Sequence, residues 1–238
     1  MAIDLGPEAK AKEIEREYEW LEAAESYEQA SHSKSGTSAA EIWQRIGFCY
    51  NKASRQTKDL EEFKKLRKLA TEAYRSSARL FEKEEGLENQ GKTAQCNAIA
   101  EYTRSWLASN PEQKRKMLDD CLAFGNVALE AFRNAGDELN YGKTCNTLLL
   151  CLNERLFLAS TEKEKQVIAQ EGLGCGDRAI SVLSKLDSKD ELLQAYSIAS
   201  LVNWYVANIS EQEEERKKLA NKSVRYSKKA VALSQNFQ

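Results

Sequence analysis

Shifted by 51 positions, this chain matches itself, and that self-match restricts the fold more than any other feature. Asn89-Gln90-Gly91-Lys92-Thr93 recurs as Asn140-Tyr141-Gly142-Lys143-Thr144, and Trp106-Leu107-Ala108-Ser109 recurs as Phe157-Leu158-Ala159-Ser160. A small residue returns at Ala128, Ala179 and Ala230, and going backward at Ser77 and, with a spacing of 53, at Ala24. Three residues after each stand Tyr27, Leu80, Ala131, Val182 and Leu233. A small side chain lets a partner helix come close, and the apolar residue one turn on fills the gap. Repetition at a fixed period means units that bury their apolar faces only by stacking on one another.

The composition says what those units are made of. Only Pro7 and Pro111 interrupt 238 residues, 30% of which are charged and 42% hydrophobic. Helix-forming residues dominate and strand patterns are absent. Apolar residues recur at spacings of three and four in successive segments. The expected architecture is all-α: one helix over 8–31, followed by four helical hairpins at about 39–84, 87–135, 139–186 and 191–236. Short connections make sequential neighbours antiparallel, giving about nine helices in one repeat domain. Ile14, Tyr18, Leu21, Ala24 and Tyr27 read as one apolar stripe on the first helix. The segment around TCNTLLLCLNERLFLA is apolar almost all round and belongs in the interior. The glycines of Gly172-Leu173-Gly174-Cys175-Gly176-Asp177 suit a close helix approach.

Ala40-Glu41-Ile42-Trp43-Gln44-Arg45-Ile46-Gly47-Phe48-Cys49-Tyr50 resembles the first helix of a tetratricopeptide repeat, with Trp, an aliphatic residue, Gly and Tyr in order. Trp20 to Ala30 resembles the second helix of such a repeat. The longer period is similar to long-helix variants such as the soluble NSF attachment proteins. The resemblance implies a right-handed α–α superhelix, protein or peptide binding, and no catalysis. It also implies that the first helix of each pair lines a concave groove. Gln44, Asn51, Lys52, Asn97, Glu101, Arg104, Arg155 and Asn203 would then face a bound segment, with Leu148 and Leu152 narrowing the groove in the middle. Asn and Arg side chains suit a peptide backbone or carboxylate.

Competing motifs are weaker. Gly86-Leu87-Glu88-Asn89-Gln90-Gly91-Lys92-Thr93 matches the phosphate-loop pattern, but such a loop needs a buried strand before it. The preceding residues are an amphipathic helix end. In the repeated copy, Gly136 stands one residue too far from Gly142-Lys143-Thr144. A nucleotide-binding protein using Gly86–Thr93 is the enzyme alternative. Gly86 as a helix stop with a solvated Lys92 is the structural reading. The six cysteines lack metal-ligand spacing and are expected to be reduced and buried. The single histidine, His32, has no visible catalytic partner, and neither a metal nor another cofactor is expected. Lysines and arginines at the start of each second helix alternate with glutamates, which reads as a solvated ion-paired face. Near-balanced charge gives no pull toward nucleic acid. No apolar leader and no 18-residue apolar run are present, so a cytoplasmic protein without a membrane span is expected.

The last helix carries Ala230, Leu233 and Phe237 as an apolar stripe where a repeat stack normally ends in a polar cap. Either that face is only partly exposed, or it docks a second copy, as a homodimer, or it meets a following domain. The expected function is a non-enzymatic protein-interaction scaffold or sensor module; a self-associating structural protein is a third class.

Overall fold

The computed structural model describes residues 6–186 and 188–235. Its elements are ten α-helices: α1 (Pro7–Arg16), α2 (Trp20–Ser31), α3 (Gly36–Gln56), α4 (Leu60–Phe81), α5 (Leu87–Ser105), α6 (Pro111–Ala135), α7 (Glu138–Leu158), α8 (Glu162–Leu183), α9 (Lys189–Ile209) and α10 (Glu213–Ser234). No strand occurs among the described residues. The period is visible in the helix starts. The odd-numbered helices from α3 begin at 36, 87, 138 and 189, and the even-numbered ones from α4 at 60, 111, 162 and 213, each 51 residues after the last.

Local chemistry sets those starts. Asp59 accepts a hydrogen bond from the Glu62 N–H, Asn110 from Gln113, and Thr161 from Glu164. These caps, also 51 residues apart, satisfy amide groups that a helix leaves unpaired at its N-terminus. Asp137 does the same for α7. Gly86 enters α5 at φ +106, a conformation open to glycine and costly for a residue with a Cβ.

The chain gathers into two compact units, Met1–Ala131 and Phe132–Gln238. The first unit is centred on Ala23, Ala24, Tyr27, Ile42, Ile46, Cys49, Tyr50, Ala70, Ala73 and Tyr74. Ala40, Ala78, Phe81 and Cys96 form a second apolar group in it. Gly47 permits a close approach: a Cβ there would stand 3.0 Å from the Tyr74 ring. Repeat-equivalent side chains of α3 and α5 touch. Gln44 meets Gln95 at 3.4 Å, and Glu41 pairs with Lys92 at 3.3 Å, both 51 residues apart. Contacts of this kind are what stacked copies of one unit produce.

The second unit buries Leu148, Leu149, Leu152, Leu156, Ala179, Leu183, Ala199 and Val202. Its glycines sit where helices meet. A Cβ on Gly142 would come 2.8 Å from Leu183, one on Gly172 3.2 Å from Val202, and one on Gly176 3.0 Å from Ala199. The small-residue series is inward throughout the chain: Ala24, Ser77, Ala128 and Ala179 are fully buried and Ala230 is 8% exposed.

The first helix departs from expectation. It is two helices, because the chain turns back after α1. Tyr18 takes a left-handed φ of +63. Side-chain contacts hold the turn: the Tyr27 hydroxyl donates to Glu15 Oε2 at 2.9 Å, and Ser26 donates to the Pro7 carbonyl at 3.2 Å. Tyr18 and Leu21 therefore leave the expected stripe and stand exposed. All six cysteines are free and buried. Burial raises Cys49 and Cys145 to about 11 and Cys96 to about 12.

Candidate interaction site

The phosphate-loop match lies almost wholly inside a helix. α5 begins at Leu87, so the backbone from there to Thr93 is hydrogen-bonded as helix and forms no loop around a phosphate. Lys92 is not a free solvated group either. It pairs with Glu88 at 2.8 Å and Glu41 at 3.3 Å, and its ammonium lies 5.4 Å from the Phe81 ring centre.

The expected groove residues of the first unit are mostly engaged with their neighbours, although Asn51 Oδ1 and Arg104 Nε are buried without a hydrogen-bond partner. Gln44 is engaged by Gln95. Lys52 stands over Trp20 at 5.7 Å and Phe48 at 5.2 Å. Glu101 is buried; Arg75 of α4 reaches it at 3.1 Å and Arg104 pairs with it from the next turn of α5. Asn51 and Asn97 are half-buried. The structure thus joins Glu101 to Arg104, and does not gather all six positions into one open site.

Two neighbouring features of this unit were not legible as sites. A cleft of about 570 Å³ lies where α1, α2 and α3 meet. Its walls carry Lys12, Arg16, Lys34 and Arg45 against Glu8, Glu15 and Glu41. Arg45 Nε donates to Glu15 at 2.7 Å, so the charges neutralise one another across the cleft. Arg67 is 3% exposed, and its Nε and Nη1 lack hydrogen-bond partners. Its guanidinium lies between the rings of Phe63 (5.1 Å) and Trp106 (5.4 Å). Burial first, then the charge of Arg55, lowers Arg67 to about 10. Ring faces offset part of that desolvation.

In the second unit the expected polar positions are occupied internally. Asn203 is 1% exposed, and its amide donates to the Ala199 carbonyl of its own helix at 2.7 Å. Arg155 pairs with Glu164 at 3.3 Å. Leu148 and Leu152 are core residues. What faces outward is aromatic. Phe157 is 72% exposed, Trp204 60% and Leu201 53%. Phe157 meets Tyr205 edge to face at 6.4 Å, which joins the end of α7 to α9. Trp204 is the outward neighbour of buried Asn203, the residue expected to face outward. One residue is about 100° of helix rotation, enough to exchange a core position for a surface one. The signal available in the sequence was the match of Phe157 to Trp106, an aromatic returning at the end of a first helix.

The basic segments at the second-helix starts pair mostly within their own helices: Lys64 with Glu61, Lys165 with Glu162, and Lys217 with Glu213. The described residues contain no group of three or more His, Cys, Asp or Glu placed to hold a metal ion. No helix among them is long and apolar enough to cross a membrane. The described part of the C-terminal stripe is only partly exposed. Ala230 is buried and Leu233 half-buried, because both lie on the flank of α10 that packs against its neighbours; Phe237 lies outside the described residues.

No family model and no curated protein matches the chain. Among solved structures it is similar to one titled "Computational Design of Self-Assembling Cyclic Protein Homooligomers", at 16% identity and a TM-score of 0.41, with 95% of this chain and 96% of that chain covered. At that score the likeness adds nothing to the helical repeat already visible in the helix starts.

Proposed function

We propose that this chain is a non-enzymatic protein-interaction module, TPR-like in its organisation as one repeat domain, that binds a protein segment on its first-helix surface. The observation that carries the reading is the exposed Phe157, Leu201 and Trp204 beside Tyr205. Large apolar side chains clustered on a surface mark sites where another molecule removes them from water. Tryptophan and tyrosine are the side chains that most often dominate interface energies. The partner contacts here are aromatic and aliphatic. In the first unit, the members of the polar set Gln44, Asn51, Lys52, Asn97, Glu101 and Arg104 are already paired or half-buried.

A photo-crosslinking residue in place of Trp204 tests this. Irradiation in native extract is expected to give a discrete product that is absent with the residue at exposed Lys185 and lost when Phe157→Ser is added. A product pattern the same at both positions overturns the site. The enzyme alternative is tested by calorimetry with ATP: micromolar binding abolished by Lys92→Ala would replace the interaction reading with nucleotide chemistry.

A further inference from the structure

The last helix presents a face that its own repeat-mates keep covered. On α8, Leu173 and Ile180 are half-buried. Between them, Gly176 abuts Ala199 of α9, and Asp177 receives Lys222 at 2.7 Å and the Tyr226 hydroxyl at 3.1 Å from α10. The following hairpin thus covers this face of α8. Fifty-one residues on, the same positions of α10 are Val224, Ser227, Lys228 and Val231. Val224 is 54% and Val231 57% exposed, and Ser227 and Lys228 are exposed beside them. The inward flank of α10, with Leu219, Ser223, Tyr226 and Ala230, is packed. The open flank is therefore the repeat's stacking surface, left uncovered among the described residues.

Charge identifies what fits it. Residues 216–235 hold seven Lys or Arg and no Asp or Glu, whereas 7–31 hold eight Glu against three Lys or Arg. Lys217, Arg225 and Lys228 border the two valines and are exposed. On α2 the exposed flank is Leu21, Glu22, Glu25 and Gln29, one stripe at spacings of one helical turn. It is acidic, carries one leucine, and is the opposite flank from the buried Ala23, Tyr27 and Ala30. The chain is nearly neutral overall at −2, so the two ends hold opposite charge that cancels only in the sum.

We infer that the open face of α10 takes the α2 face of a second copy of this chain, a head-to-tail contact of two different surfaces. A contact of that kind uses one face on each partner and leaves the other free. It is independent of the Phe157–Trp204 surface, and its test can fail without touching that reading.

Two variants, each altering only exposed residues, test it: Val224→Glu/Val231→Glu, and Glu22→Lys/Glu25→Lys. Circular dichroism on both checks that the helices are intact. Sedimentation velocity is expected to show wild type associating, with the association constant falling at least about ten-fold from low salt to about 1 M salt as surface charges are screened. Each variant alone sediments as a monomer. Mixed in equal amounts the two form a dimer and go no further, because one intact α10 face meets one intact α2 face. Phe157→Ser associates as wild type does. A monomeric wild type overturns the inference and leaves the α10 face to a different protein. A mixture that stays monomeric overturns it equally, and Glu22→Lys/Glu25→Lys dimerising on its own would overturn it in favour of a symmetric α10–α10 contact.

Discussion

The first-helix surfaces of the two units are built from the same repeat and end in different chemistry. In the first unit, side chains at these positions satisfy one another: Gln44 with Gln95, Glu101 with Arg75 and Arg104, and Lys52 over Trp20 and Phe48. In the second, the polar residues turn inward and the aromatics outward, with Asn203 at 1% and Trp204 at 60% exposure. A repeat therefore conserves its stacking contacts, which are geometric, while the surface chemistry of each copy is free to differ. On the proposed reading, binding uses the apolar area left uncovered in the second unit, and the self-paired surface of the first takes no part in it.

The sharpest break of this comparison is between two aromatics. Phe81 is fully buried in the first unit, and Phe81→Ala is expected to cost about 3–5 kcal/mol of folding stability. Trp204→Ala in the second unit is expected to stay within about 0.5 kcal/mol in urea unfolding while abolishing crosslinking from a photo-reactive residue placed at exposed Leu201 instead. A large stability loss from Trp204→Ala would mean that the exposed aromatics are packing residues after all.

Next in size is an alkaline effect. The folded thiols of Cys49 and Cys96 ionise near 11 and 12, against about 9 for a free thiol. Between those limits the unfolded chain loses protons that the folded chain keeps. Stability is full below pH 9 and falls as pH rises toward 11, by on the order of 1.4 kcal/mol per thiol for each pH unit. Urea midpoints under reducing conditions are expected to drop over this range, and less steeply in Cys49→Ala/Cys96→Ala. Equal slopes would remove the thiols as the cause.

Gly47→Ala follows. The new Cβ meets the buried Tyr74 ring at 3.0 Å, and overpacking of this kind costs about 1–3 kcal/mol. An unchanged thermal midpoint would show that α3 and α4 can move apart. The smallest effect compares caps in the two units. Asp59→Ala and Thr161→Ala each remove a side-chain acceptor at a helix start and are expected to cost about 1 kcal/mol apiece. Similar losses confirm that the repeat is built the same way in both units; a loss in one alone would show that the copies differ in their framework as well as their surface.

The sequence by itself determined the framework. The spacing of 51 predicts where helices begin, and the small-residue series from Ala24 to Ala230 is buried at every member. Both follow from local and periodic rules: capping, helix propensity, and the need of each unit for a close neighbour. The sequence also showed that a GKT repeated at helix starts is framework, and the helical backbone from Leu87 to Thr93 accords with that. The tertiary structure decided the rest. It split residues 8–31 at Tyr18, because contacts of Glu15 with Tyr27 and Arg45 join residues distant in sequence. It chose between Asn203 and Trp204 as the outward residue, a rotation too small for periodicity to resolve in a helix apolar on most sides. It also located the open flank of α10 at Val224 and Val231 instead of Ala230 and Leu233. Which flank of an end helix is covered depends on which neighbour exists, and a repeating pattern is the same whether or not a neighbour follows.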